Sequence, residues 1–319
     1  MAKKILLVRT SSMGDIIHTF PAAVDVKNAL PDAQLHWLVE ESLTDVCSLC
    51  PAIDALRITA FHRWRKTPFA KEVRAEVRDL KEQLRSEGYD AVVDTQGIVR
   101  SAWAATWANV PVCGYSWKTA REPLASLFYK KTFSMPETLG AVLRYRKMLA
   151  TALGYSIDEI HPKFGICPPK LPNIELPKQF AAFFVNTSLN RPKHWQEDRW
   201  KAVVSELASQ GLDSVLFWGN QTEKERVERI ASVTSRVHVL PRMSIPEVAA
   251  VVSRAKIGIG LDTGLMHLAA AIGIPCVAIW VNTDPGKVAL VGEADCVTLG
   301  HIGADVTVEE VLSAVRTRI

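Results

Sequence analysis

Two series of short apolar runs are set apart by charged or amphipathic stretches of helical length. The first comprises residues 5–8, 35–39, 56–59, 91–94 and 112–115, and the second residues 181–185, 215–218, 237–240, 257–260 and 276–280. Apolar runs of this length alternating with helical segments predict parallel strands covered on both faces. Between the series, residues 161–178 hold Pro162, Pro168, Pro169, Pro172 and Pro177, a density that excludes helix and sheet interior and predicts a linker. The expected organisation is an N-terminal domain over 1–160, the linker over 161–178, a second domain over 179–305 and a C-terminal amphipathic helix over 306–319 that packs back on the first domain. Phe69, Val73, Val77, Leu80 and Leu84 form one stripe of a helix whose other face is charged.

Length agrees with this division, since 319 residues exceed what one ordinary core supports. With 48% apolar and 23% charged residues the composition is that of a globular protein. No uninterrupted apolar run approaches the ~18 residues of a membrane span. Met1-Ala2-Lys3-Lys4 leads directly into the first strand without a signal-like segment, so the chain is expected to stay in the cytoplasm. A formal charge of +4 is too mild to indicate nucleic acid. Of the cysteines, at 47, 50, 113, 167, 276 and 296, only Cys47 and Cys50 have a ligand-like spacing. Without a second such pair, buried thiols are expected rather than zinc.

The turn after the first strand reads Arg9-Thr10-Ser11-Ser12-Met13-Gly14-Asp15. In open α/β sheets ligands bind beyond the carboxyl ends of the strands, so Asp15 is placed either as a general base in a crevice or as a helix cap. A second strand, turn and helix start spans Ile257 to Ala271. Backbone N–H groups around Thr263 and Gly264 suit a phosphate there, and His267, four residues after Thr263, lies on the same helical face. Asp262 and His267 have the alternative roles of N-cap and packed core residue. Lys193, after the polar turn Asn186-Thr187-Ser188, offers a point charge to a diphosphate whose oxygens Thr187 and Ser188 can bond; a solvated loop is the alternative. Glu223, past the strand ending at Trp218-Gly219, is a candidate acceptor for ribose hydroxyls or a surface carboxylate. Arg63, Trp64, Arg65 and Lys66 form a basic and aromatic cluster with no acidic neighbour close in sequence, suited to an anionic substrate or membrane surface. Neither half has a G-x-G-x-x-G turn, which counts against a dinucleotide cofactor, and the chain lacks both a P-loop and an Asp-x-Asp pair.

The segments T-S-S-M-G-D-I-I-H-T-F-P at 10–21, H-R-W-R-K at 62–66, D-T-Q-G at 94–97, T-A-R-E-P-L-A-S-L-F-Y at 119–129, K-H-W at 193–195 and D-T-G-L-M-H at 262–267 together resemble the lipopolysaccharide heptosyltransferases of glycosyltransferase family 9. The resemblance runs nearly the whole length. It implies an α/β protein of the GT-B fold, two Rossmann-like doubly wound parallel-sheet domains facing across a cleft.

The activity so implied is inverting transfer of L-glycero-D-manno-heptose from ADP-heptose to the Kdo residue of the lipopolysaccharide inner core on lipid A. Heptosyltransferase II or a GT-B sugar-nucleotide epimerase is the alternative. On that resemblance Asp15 is the base and Lys193 assists the leaving group. Thr187, Ser188, Lys193, Glu223, Met243, Asp262, Thr263, Gly264 and His267 hold the donor, and a strict ungapped match puts Leu189 at one of the hydroxyl positions. Ser12, Met13, Gly14, His18, Arg63, Trp64, Arg65, Lys66, Gln96 and Arg121 serve the acceptor. No cofactor and no metal are expected, ADP-heptose being a substrate. The expected location is peripheral, on the anionic cytoplasmic face of the inner membrane.

Overall fold

Strand and helix alternate through each half of the protein, here described from a computed structural model that covers residues 3–187, 195–282, 284–285 and 290–319. Two compact units divide at Gly165 and Ile166, inside the proline-rich segment.

The first unit contains β1 (Lys4–Val8), α1 (Met13–Ala29), β2 (Gln34–Glu40), α2 (Thr44–Cys47), β3 (Ala55–Thr59), α3 (Phe61–Trp64) and α4 (Lys71–Ser86). It continues through β4 (Ala91–Asp94), α5 (Val99–Ala105), β5 (Val112–Tyr115), β6 (Lys131–Phe133) and α6 (Ala141–Leu153). All neighbouring strands run parallel, in the order β3-β2-β1-β4-β5-β6. After Lys4 the central strand β1 is apolar, and Ile5 to Val8 are fully buried because helices cover both faces of the sheet. α1 packs on α6.

The second unit repeats the plan with β7 (Phe180–Phe184), α7 (Glu197–Ser209), β8 (Asp213–Leu216), α8 (Gln221–Ala231), β9 (Val237–Val239), α9 (Ile245–Val252), β10 (Ile257–Leu261), α10 (Gly264–Ile272), β11 (Cys276–Ile279), β12 (Cys296–Leu299) and α11 (Val308–Arg316). Its strand order is β12-β11-β10-β7-β8-β9, again parallel. Gly260 lets β10 lie against β7, since a Cβ there would come within 2.7 Å of the Phe184 Cβ.

In both sheets the first strand of the unit is internal and the order turns back beside it, between β1 and β4 and between β7 and β10. These are the topological switch points, where the loops leaving two neighbouring strands diverge and open a crevice.

Three expectations change. α11 buries Val311, Leu312 and Val315 in a core shared with α7 and β11, so the C-terminal helix belongs to the second unit and not to the first. Phe69 precedes α4 and is 83% exposed, outside the buried stripe of Val73, Leu80 and Leu84. β6 and β12 are strands that the apolar pattern does not reveal; they lie at sheet edges opposite β3 and β9, which it does. Cys47 and Cys50 are buried free thiols, and burial pushes both up, Cys50 to about 12. Among the described residues no group of His, Cys, Asp or Glu could hold a metal ion, and no helix is long and apolar enough to cross a membrane.

Candidate functional site

At the switch point of the first unit the loop leaving β1 is braced by the loop leaving β4. Gln96 Oε1 accepts from the Thr10 N–H at 2.7 Å and the Thr10 hydroxyl at 2.8 Å, and Gln96 Nε2 donates to the Ser11 hydroxyl at 3.2 Å. Gln96 is itself set by Asp94, whose Oδ1 accepts from the backbone N–H of Gln96 and Gly97. The other oxygen of Asp94 accepts from the hydroxyls of Ser101 and Tyr129, both at 2.8 Å. Burial pushes the Asp94 carboxyl up, against the bonds from Gln96, Ser101 and Tyr129. Buried at 4% exposure, Gln96 therefore positions the loop rather than meeting an acceptor.

Asp15 sits in the first turn of α1. Its Oδ2 accepts from the Ser12 N–H at 3.2 Å and the Ser12 hydroxyl at 3.1 Å, which makes it a helix cap. Its Oδ1 is engaged differently: the Tyr145 hydroxyl donates to it at 2.9 Å and Arg9 Nη2 lies 3.5 Å away. The Arg9 guanidinium stacks on the Tyr145 ring, 4.0 Å from its centroid. Burial alone would raise the Asp15 carboxyl, but Arg9, then the Ser12 N–H, His18 and Tyr145 outweigh it and hold the group down at about 2. A cap needs neither the arginine nor the tyrosine. Arg9 is 2% exposed, and its Nε and Nη2 make no hydrogen bond among the described residues. The sequence pattern marks neither Arg9 nor Tyr145, apart from the placing of a charge directly after an apolar strand.

In the second unit the ends of β7, β8 and β10 meet in the same way. The Asn186 side chain donates to the Phe217 carbonyl at 3.3 Å, tying the first two loops. Thr187 is buried, and its hydroxyl has no hydrogen-bond partner among the described residues. Thr263 is the N-cap of α10, with its hydroxyl accepting from the Met266 N–H. Gly264 follows as the first helical residue, so the α10 N-terminus presents the partial positive charge of its first turn. Asp262 lies 3.6 Å from the His267 ring, which is buried and meets the edge of Trp280. His267 thus backs Asp262 from inside the packed face of α10. One oxygen of Glu223 accepts from the Gly219 N–H at 2.7 Å, and Met243 packs partly buried against the sheet. Ser188, Leu189 and Lys193 lie outside the described residues.

The profile of glycosyltransferase family 9 (heptosyltransferase) matches residues 77–314. Lipopolysaccharide heptosyltransferase 1 of Escherichia coli K12 is 39% identical over 286 residues, 89% of this chain and 90% of that protein.

The chain belongs to glycosyltransferase family 9.

The structure agrees: E. coli heptosyltransferase WaaC with ADP superimposes with a TM-score of 0.91 at 35% identity, covering 99% of this chain and 100% of that one. The same enzyme with ADP-2-deoxy-2-fluoro heptose gives 0.90, with the same identity and coverage. Family 9 membership makes this protein a glycosyltransferase of the GT-B fold, with two Rossmann-like parallel-sheet domains.

Within this family 9 member the basic cluster at 62–66 divides. Arg63 is held by two carboxylates brought from elsewhere, Glu41 and Glu76, through contacts of 2.9–3.2 Å. Its isolation in sequence does not survive folding, and its donors are taken. Trp64 is 7% exposed and its Nε1 donates to Glu76 at 2.7 Å, so it is a core residue. Arg65 and Lys66 enter no ion pair among the described residues. Met13 and Gly14 open α1 beside the exposed Ser12, whereas His18 is buried one turn further on. Arg121 is exposed on the turn whose Glu122 N–H donates to the Gly97 carbonyl.

Proposed function

We propose that this protein transfers L-glycero-D-manno-heptose from ADP-heptose to the Kdo residue of a lipid A precursor, with inversion and without a metal. The observation that carries the chemistry is Asp15, a carboxylate kept ionised by Arg9 and hydrogen-bonded by Tyr145 at the switch point of the first unit. Its likeness to E. coli heptosyltransferase 1, and to WaaC with a fluorinated ADP-heptose, supports the donor.

In this reading the acceptor hydroxyl oxygen attacks the anomeric carbon from the face opposite ADP. The C–O bond to ADP breaks with its electron pair moving to the β-phosphate oxygen, and Asp15 takes the hydroxyl proton. A pKa of about 2 suits a late transfer. Once the acceptor oxygen is bonding to carbon it is a far stronger acid than any carboxylic acid, so a weak base suffices, and it stays unprotonated at working pH. The leaving diphosphate is received by the α10 N-terminus at Thr263 and Gly264, with Lys193 supplying a point charge and Thr187 a hydroxyl that has no partner among the described residues. Met243, Asp262 and Glu223 hold the rest of the donor, with His267 behind Asp262. Ser12, Met13, Gly14, Arg65, Lys66 and Arg121 serve the anionic acceptor. The enzyme works at the cytoplasmic face of the inner membrane as a peripheral protein.

The test is ADP release across a panel of sugar nucleotides, with and without Kdo-lipid A, followed by determination of the product anomer. ADP release restricted to ADP-heptose plus acceptor, with an inverted product, is the expected result. Conversion of free sugar nucleotide without acceptor would instead mean an epimerase.

A further inference from the structure

In the first unit, on a face built by α3, α4 and α5, a groove of about 620 Å³ has an apolar floor and a basic rim. This volume falls within the range of small-molecule pockets, ~300–1,000 Å³. The floor includes Phe61, Val77, Trp103 and Trp107, and the rim carries Arg78, Lys81 and Arg100. Trp103 and Trp107 meet edge to face at 4.8 Å, and the Lys81 ammonium lies 5.4 and 5.0 Å from their centroids. The Arg100 guanidinium lies 5.0 Å from the Phe61 centroid, and its Nε has no hydrogen-bond partner among the described residues. Lys81 and Arg100 enter no ion pair among the described residues, Arg78 meets its exposed chain neighbour Asp79 at 3.4 Å, and Arg65 of the sequence cluster also lines the groove.

Large apolar side chains are exposed around the groove. Phe69 is 83% exposed, in a turn where its carbonyl accepts from Arg74 at 2.9 Å, and Trp103 is 44% exposed. A ligand for this surface must bring an apolar chain and several negative charges at once. Aromatic and aliphatic groups beside a row of cations match the interface of an anionic bilayer, where rings sit at headgroup level and each nearby Lys or Arg adds about 1 kcal/mol. Since no described helix can cross a membrane, attachment through this part of the molecule falls to its surface.

We propose that this groove and its rim are the membrane-docking surface of the enzyme, with an acyl chain of an anionic phospholipid seated over Val77 and Trp103 and its phosphate met by Arg78, Lys81 and Arg100. This rests on the peripheral location proposed above but uses residues separate from Asp15 and the diphosphate site.

Vesicles of phosphatidylcholine, with and without phosphatidylglycerol and with acyl chains brominated for tryptophan quenching, test it. Wild-type protein should sediment at least about tenfold better with the anionic vesicles and be quenched by them, and both effects should fall with salt. The double variant R78E/K81E should lose that preference, whereas V77F, which fills the groove, should keep charge-driven sedimentation and lose most of the quenching. Thermal midpoint and ADP-heptose binding, measured without vesicles, should be unchanged in both. Equal binding to neutral vesicles, or sedimentation unaffected by the charge reversal, would overturn the proposal. So would quenching unaltered in V77F, or a wild-type dimer that R78E/K81E dissolves, which would assign the groove to a second copy of the chain. Transfer activity is not part of the readout, so failure of the heptosyl-transfer reading leaves this test standing, and the reverse holds.

Discussion

The Tyr145 hydroxyl donates a 2.9 Å hydrogen bond to Oδ1 of Asp15, joining α6 to the first turn of α1 across 130 residues of sequence. The same ring carries the Arg9 guanidinium on its face, so one tyrosine aligns both the carboxylate and the cation that keeps it charged. Asp15 is thereby held in one rotamer and as an anion, the state that the proposed base needs before substrate arrives.

Replacing Tyr145 with Phe keeps the ring under Arg9 and removes only the hydroxyl. Loss of one hydrogen bond to a charged group should lower kcat by about tenfold. The acid limb of the pH–rate profile should move up, because one of the contacts depressing Asp15 is gone. Donor KM should hold. A profile identical to wild type would make Tyr145 a packing residue only.

For Asp15→Asn, turnover should fall by roughly 10²–10⁴, the range for a positioned general base, with donor affinity intact. Stability offers an independent check. The folded pKa is depressed, from 3.8 to about 2, so the ionised group stabilises the fold above its unfolded value and loses that effect as pH falls through the folded one. The gap in thermal midpoint between wild type and the Asn variant should therefore be constant from pH 7 down to about 4, then close toward pH 2. A gap that stays constant down to pH 2, or widens as the pH falls, would mean that Arg9 does not hold the carboxylate down.

Gln96→Leu should cost about 1–3 kcal/mol, because the buried Thr10 N–H loses its acceptor. Activity should fall as well, since the loop that carries Arg9 and leads to Asp15 loses its brace. Denaturant unfolding alongside initial rates measures both. Reduced stability with an unchanged rate would show that the loop holds its shape without Gln96.

At the donor side, turnover should survive EDTA, and Lys193→Ala should slow it by about 10²-fold, as for removal of one preorganised transition-state donor. The effect belongs in kcat more than in donor affinity. EDTA inhibition reversed by magnesium would require a different device for the diphosphate.

The central strands of both sheets are legible from the chain, because burial on both faces turns them into continuous apolar runs such as Ile5 to Val8. The edge strands divide: β3 and β9 show an apolar run, whereas β6 is three residues long with two of them exposed and β12 is only half-buried. The α10 N-terminus at Thr263 is legible for a related reason: strand end, capping hydroxyl and glycine follow one another, and a helix start is a local event.

Contacts over long separations are another matter. Residue type and position after an apolar strand determined that Asp15 stands at a strand end and caps α1, because both depend on neighbours within a few residues. Whether it also faces Arg9 and Tyr145, and so is held as an anion, depended on α6 packing on α1, a contact for which the local pattern carries no signal. Arg63 shows the converse. A cation without acidic neighbours in sequence becomes a doubly paired one when the turn after β2 and α4 bring Glu41 and Glu76 to it, while Lys81 and Arg100, set among acidic or apolar residues in the chain, emerge at a groove with no ion pair among the described residues. Composition and periodicity decide which faces are buried, since burial follows hydrophobicity residue by residue. Electrostatic partners are decided only in three dimensions, because Coulomb energy depends on distance in space and not on separation along the chain.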